Sequence, residues 1–301
     1  MARPYAPHSS AIPPFDVQGH RGARGLFPEN TLEGFRNTVS IGVRAFELDV
    51  GMTRDGVVVV SHDPAINPDI TRDASGAWLT ERGPLLRGLT YAELCRYDVG
   101  RIRPGSAYAA LCSDQTPCDG ACIPTLEAVL NLDPGLRFTI ELKTDPGHPR
   151  WTVAAPVLAE AVLAVVDAAG AADRVMIESF DWRGPRHIRS ARPALRLAWL
   201  TRAETVHMAA LWWGGPHPAD FGGSVPRAVA AEGGAAWAPD HADLTQDLVI
   251  EAHALGLAVL PWTVNRPADM RRLIGWGVDG LITDRPDLAQ SIIAQLPPPP
   301  D

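Results

Sequence analysis

The sequence predicts an α/β protein: a (β/α)8 TIM barrel with one long insertion between its second strand and the helix that follows. Short apolar runs alternate with amphipathic helical patterns along the chain, the mark of a parallel sheet. Eight such units in 301 residues favour a closed barrel over an open doubly wound sheet. No glycine-rich dinucleotide turn follows the first strand, which further disfavours the open sheet.

The first strand is FDVQGH (15–20), with a helix expected at 30–41. RAFELDV (44–50) is the second, and TRDGVVVVSHD (53–63) returns from it as a short hairpin. Residues 64–123 break the rhythm, being rich in Pro, Gly, Arg and turn residues, with one or two helical turns near 90–97. They read as an inserted, cap-like segment that selects the substrate's head group at the mouth of the barrel. RFTIEL (137–142) precedes a helix at 151–169, and RVMIESF (174–180) one at 182–191. LRLAWL (195–200), GAAWAPD (234–240), LAVLPWTVN (257–265) and VDGLITD (278–284) follow, each with a helical stretch after it. Residues 1–301 thus read as one catalytic domain, with a polyproline tail at 296–301 expected to be disordered.

A net charge of -8 without a basic block argues against a nucleic-acid surface, so an anionic substrate needs local cations. No apolar run approaches the roughly 20 residues of a membrane span. The N-terminal stretch lacks the apolar core of a signal peptide, so the chain reads as cytoplasmic or as a mature exported form. Four cysteines, Cys95, Cys112, Cys118 and Cys122, match no common zinc spacing and read as loop thiols or one local disulfide. Oligomeric state leaves no signal in the sequence.

Barrel chemistry gathers at the C-terminal ends of the strands. His20 and Arg21 end the first strand, and Glu141 and Lys143 the third. Glu47 and Asp49, two positions apart on the second strand, share a face, and Glu141 lies on the neighbouring strand. Burying like charges together is costly unless something positive lies between them. Three converging carboxylates make a site for one hard divalent cation, Mg²⁺ or Ca²⁺; the alternative is a core ion network with arginines. Three carboxylates and a divalent cation sum to about -1, and Arg21 and Lys143 bring the site to about +1, which suits a phosphodiester. His20, and His62 returned by the hairpin, can then serve as an acid–base pair.

HRGARGLFPENTLEGF, ELDVGMTRDGVVVVSHDP, IPTLEAVL, IELK and VDGLITDRP together resemble the glycerophosphodiester phosphodiesterase family, over about residues 16–290. The resemblance implies a small glycerophosphodiester substrate cleaved to glycerol 3-phosphate and an alcohol. It implies His20 and His62 as the catalytic pair and Glu47, Asp49 and Glu141 as metal ligands. Arg21 and Lys143 would bind phosphate, and Trp262 would pack on the glycerol side. The rivals are a lysophospholipase-D-type phosphodiesterase and a silent barrel that only binds diesters. A zinc amidohydrolase is disfavoured because the first strand lacks His-x-His.

In PENT, Asn30 or Thr31 is expected to cap a helix and Glu29 is a candidate to orient a histidine or the metal shell. Asp284 is expected to cap the last helix. Trp212 and Trp213 read as packing residues, with head-group contact as the alternative. His207, His217, His241 and His253 match no motif.

Overall fold

The computed structural model describes residues 15–296. Most of the tail expected at 296–301 lies outside them. The strands are β1 (Asp16–His20), β2 (Ala45–Met52), β3 (Val58–Val60), β4 (Arg137–Leu142), β5 (Val175–Ser179), β6 (Arg196–Thr201), β7 (Ala236–Pro239), β8 (Ala258–Val259) and β9 (Gly280–Thr283). The sheet order is β8-β7-β6-β5-β4-β2-β1-β9, every neighbouring pair being parallel. β3 is the hairpin strand and pairs antiparallel to β2 alone. The barrel closes between β8 and β9 by sparser bonds: Asp279 N–H donates to Val259 O, Ile282 N–H to Pro261 O and Val264 N–H to Ile282 O, each at 3.0 Å. Eight parallel strands wrapped by helices are the (β/α)8 barrel that the periodicity predicts.

The expected strand at 257–265 is shorter than its apolar run. Pro261 has no N–H to give the ladder, so regular pairing stops at Val259 and Trp262 holds only an isolated bridge to Asp240. The first helix runs Leu32–Ser40, with Thr31 as N-cap accepting from Gly34 N–H at 3.0 Å. The helices expected at 151–169 and 182–191 are Ala155–Ala168 and Arg183–Ala191. Among the described residues no helix is long and apolar enough to cross a membrane.

Segment 64–123 holds two short helices, Tyr91–Leu94 and Ala107–Leu111. The second has no buried residue of its own and so leaves no apolar stripe to be read in the sequence. The segment joins the barrel by backbone bonds, Arg54 N–H to Leu89 O at 2.7 Å and Thr116 N–H to Leu26 O at 2.8 Å, and by a small core in which Ile66, Leu86, Leu94 and Ile123 pack with Val59 of β3. The four cysteines are free thiols.

Packing between barrel and helices is largely aromatic. Phe35 stands edge-on to Phe46 at 5.3 Å and Phe46 stacks on Phe138 at 6.0 Å. On the far side, buried Trp182 stacks on Trp213 at 3.9 Å, so Trp213 is a packing residue while Trp212 reaches the cavity described below. Where β1 meets β9, a Cβ on Gly280 would fall on the Asp16 carbonyl oxygen. Gly280→Ala should therefore force the barrel's closing strands apart and cost about 1–3 kcal/mol. Urea unfolding that matched the parent would show the seam to be more compliant than its spacing implies.

Candidate active site

Strand register sets the site. His20 lies opposite Glu47, and Asp49, Glu141 and Glu178 form one row across β2, β4 and β5. Parallel strands in register point such residues into the same end of the barrel. Ligand oxygens of Glu47, Asp49 and Glu141 lie within 4.8 Å of one another, and all three residues are buried. The structure thus brings together the three carboxylates singled out in the sequence. Glu47 and Glu141 open on a cavity of about 450 Å³ whose lining includes His20, Arg21, His62, Lys143 and Trp262, with Asp49 buried behind them.

Each group is held by a named neighbour. Arg21 lies in the left-handed region at φ 51°, a strained conformation for a residue with a Cβ. Its N–H donates to Glu47 Oε2 at 3.2 Å and its carbonyl accepts from Asn30 N–H at 2.9 Å. Its guanidinium pairs with Glu29 at 3.1 Å and with Asp49 at 3.2 Å. Lys143 Nζ lies 2.9 Å from Glu141 and 3.5 Å from Asp49. PENT is built into this shell: Asn30 Nδ2 donates to Asp49 at 3.0 Å, and Glu29 holds Arg21 rather than a histidine. Tyr108, from the second helix of the insertion, donates to Glu29 and accepts from Arg24 Nη1 at 2.9 Å. The insertion therefore touches the supports of the site.

Asp284 does not cap the last helix. That helix, Pro286–Ile293, has Arg285 at its N-cap position and no side-chain cap. Asp284 Oδ1 instead meets His20 Nδ1 at 2.5 Å and accepts from Arg24 Nε at 2.8 Å, while Oδ2 accepts from Asn265 Nδ2 at 2.7 Å. A capping carboxylate and an orienting one look alike in sequence; the barrel's closure brings β9 beside β1 and decides between them. His62 has a matching partner, Asp63 Oδ1 at 2.9 Å from its Nδ1, and Asn67 steadies Asp63 at 2.7 Å.

Electrostatics follow from burial. Glu47 is pushed well above the usual carboxylate range by burial and then by Asp49, and Glu141 is raised to about 7 by burial despite Lys143. Asp49 overcomes its burial because Arg21, His62 and Lys143 hold it well below that range. Burial lowers His20 against the pull of Asp284, and burial, then Arg21 and Lys143, lowers His62 to about 4. Glu178 is raised well above the usual range by burial and then by Glu141 and Asp49, and its Oε2 has no hydrogen-bond partner. Glu178 is a site residue that sequence reasoning missed, as are Arg24, Asp63 and Tyr108. The signal for Glu178 was available, since IES at 177–179 repeats the pattern of IEL at 140–142 one strand earlier.

The donor set fits a hard divalent cation: it is all carboxylate oxygen, convergent and buried, and Asp49 Oδ1 has no hydrogen-bond partner. Arg21 and Lys143 partly compensate the triad's charge. Buried carboxylates, two flanking cations and two carboxylate-backed histidines thus stand together at the mouth of a (β/α)8 barrel. The chain belongs to the glycerophosphoryl diester phosphodiesterase family, whose model it matches over residues 20–288, and it is a glycerophosphodiester phosphodiesterase by class.

The glycerophosphodiester phosphodiesterase of Caldanaerobacter subterraneus subsp. tengcongensis is 28% identical over 281 residues, 92% of this chain and 97% of that protein. The crystal structure of a putative glycerophosphoryl diester phosphodiesterase from Silicibacter pomeroyi is 41% identical, with a TM-score of 0.84 and 93% of both chains covered. A phosphodiesterase from Oleispira antarctica, solved with sn-glycerol-3-phosphate, shares the fold at 21% identity and a TM-score of 0.71, over 93% of this chain and 97% of that one.

Nδ1 of His20 is committed to Asp284, and its Nε2 lies 3.6 Å from Glu47 Oε2. Asp284→Asn should then lower kcat roughly 10²-fold or more while the protein stays folded, because the amide can donate to Nδ1 and favour the wrong tautomer. Parent-like turnover, with circular dichroism confirming the fold, would reduce Asp284 to a structural link.

Proposed function

We propose that the protein hydrolyses glycerophosphodiesters to sn-glycerol 3-phosphate and a free alcohol, with one divalent cation, Mg²⁺ or Ca²⁺, on Glu47, Asp49 and Glu141. His20 and His62 are the acid–base pair, and Arg21 and Lys143 bind the phosphate. The observation that carries this reading is one cavity lined by two histidines, each backed by a carboxylate, and by Glu47 and Glu141 of the triad. The bound cation would supply charge neutralisation and polarisation of the phosphate.

The protein's own groups divide the work by position. His20 belongs with Asp284, Asn265 and the β8–β9 side, where Trp262 stands edge-on to Phe180 at 5.4 Å. That aromatic wall suits the apolar face of the glycerol carbons, so His20 takes the proton from the attacking oxygen, either water or the glycerol hydroxyl that closes a cyclic phosphate. His62 belongs with Asp63 and Pro64 on the insertion side, where the departing alcohol would lie, and protonates it. In-line displacement needs these groups on opposite faces of the phosphorus. Burial leaves His62 neutral at pH 7 in the free protein, with Asp63 favouring the imidazolium. The diester's negative charge, added beside Arg21 and Lys143, raises the fraction protonated. Charged Arg82 and Arg202 in the cavity lining suit a water-soluble diester better than the acyl chain of a lysolipid.

The triad can be tested without turnover. A free carboxyl ionises near 4.5 and Glu141 near 7, so across that window Glu141 holds fewer protons in the unfolded chain than in the folded one, while His62, held to about 4 by burial, acts in the opposite sense below 6.5. The share of stability that Glu141 gives the cation-free protein, read as the parent minus Glu141→Gln, should fall as pH rises from about 4.5 through about 7. Saturating Mg²⁺ or Ca²⁺ should raise Tm more at pH 8 than at pH 5.5, and Glu47→Gln, Asp49→Asn or Glu141→Gln should each remove that gain together with most turnover. Full activity after chelation and dialysis, or an equal Tm shift at both pH values, excludes the carboxylate cation site.

Leaving-group chemistry tests the histidines. An alkoxide such as choline's needs a proton to depart, whereas p-nitrophenolate barely does. His62→Ala should lose roughly 10²-fold on glycerophosphocholine and far less on bis(p-nitrophenyl) phosphate, while His20→Ala should damage both alike. The alkaline limb of kcat should also move to lower pH in Asp63→Asn, because a carboxylate that favours the imidazolium is gone. The opposite differential would exchange the two roles, and none for either variant would falsify the acid–base pair.

A further inference from the structure

The cavity's cations are not alike. Arg21 pairs with Glu29 and Asp49, Arg24 with Asp284, Lys143 with Glu141, and Arg202 with Glu204. Arg82, from the insertion, also lines the cavity, yet among the described residues it has no carboxylate within ion-pair distance. Its guanidinium lies 5.6 Å from the centre of the Trp151 ring instead.

This pair is built in place from both sides. Arg82 directly precedes the backbone pairing that folds this stretch of the insertion back on its own first residues, just after His62: Gly83 N–H to Ile66 O at 2.9 Å, Ile66 N–H to Pro84 O at 3.1 Å and Leu86 N–H to Pro64 O at 2.8 Å. Trp151 lies in the loop after β4, where His148 stacks on it at 4.1 Å and 12°. Arg87 Nη1 ties that loop to the insertion through the carbonyls of Pro149, Arg150 and Thr152. Arg82 and Trp151 line the same cavity as His62, Asp63 and Pro64. The acidic groups nearby are already engaged: Asp63 by His62 and Asn67, and Asp145 by His148 and two backbone N–H groups.

We propose that Arg82, seated on the Trp151 indole, is a subsite for an anionic group, a phosphate monoester or a carboxylate, carried by the alcohol half of the diester. This rests on the assignment of the His62 side to the departing alcohol. The indole holds the guanidinium plane and leaves its N–H edge free for oxygen acceptors. A cationic alcohol such as choline meets an uncompensated like charge there. Because Arg82 is exposed, the gain is modest and screened by salt.

The test compares two substrates that differ by one phosphate, glycerophosphoinositol and glycerophosphoinositol 4-phosphate, with glycerophosphocholine as the cationic reference. In the parent at low ionic strength, kcat/KM should favour the phosphorylated substrate by roughly 5–20-fold, mostly through KM, and this ratio should shrink towards one in about 0.5 M salt. Arg82→Ala should bring the ratio near one, and Arg82→Glu should invert it and improve glycerophosphocholine relative to both. Arg82→Lys should keep part of the preference, and Trp151→Ala should weaken it. A ratio near one in the parent, or an unaltered preference in Arg82→Ala, with turnover of glycerophosphoinositol intact, overturns the subsite alone. No turnover of any glycerophosphodiester overturns the underlying function as well.

Discussion

Burial of like charge at the C-terminal end of the barrel is the constraint on which the rest of the site depends. Glu47, Asp49 and Glu141 are packed within one small volume with Glu178 in the same register row, and all four are buried. Such a cluster persists only if its charge is offset, by protons, by fixed cations or by a bound ion. The protein uses fixed cations in part. Arg21 and Lys143 lie against Asp49 and Glu141, and the raised proton affinity of Glu47 and Glu141 marks the charge left over. The cation site proposed on these carboxylates rests on the same imbalance.

That imbalance explains why so much neighbouring structure serves orientation. Arg21 is held in a strained backbone conformation by Glu47 and Asn30, and its side chain is gripped by Glu29 and Asp49. Strain of this kind persists where surrounding contacts over-determine it. Tyr108 and Arg24 extend the network from the insertion to Asp284 and so to His20. The insertion is therefore both a wall of the cavity, through Arg82, and a support of Glu29 and Arg24, through Tyr108. One segment can do both because its backbone is fastened beside His62 while its second helix lies over the turn after β1.

The two ends of the cavity are chemically distinct. Phe180, Trp212 and Trp262 line one side, with centroid separations of 6.4 and 5.4 Å from Phe180 to the two indoles. The other carries Arg82 on Trp151 beside His62 and Asp63. The orientation proposed above uses this difference, with the glycerol carbons on the aromatic wall and the variable alcohol towards the insertion. The stacked pair of Trp182 and Trp213 behind the wall is wholly buried and keeps it rigid.

The sequence by itself determined the barrel, the insertion and the residues that meet at the mouth. Strand–helix alternation and period-two placement are local properties of the chain, and Glu47, Asp49, Glu141, His20 and His62 stand where those periods end strands. Only the tertiary structure decided which carboxylate supports which group. Asp284 turned from a helix cap into the partner of His20 because barrel closure brings β9 against β1, 264 residues apart in sequence. Glu29 turned to Arg21, Glu178 joined the acidic row, and Tyr108 and Arg82 reached the site from a segment with no readable periodicity. These are contacts between residues far apart in the chain. Their pairing depends on register and closure, which no local pattern of hydrophobicity encodes.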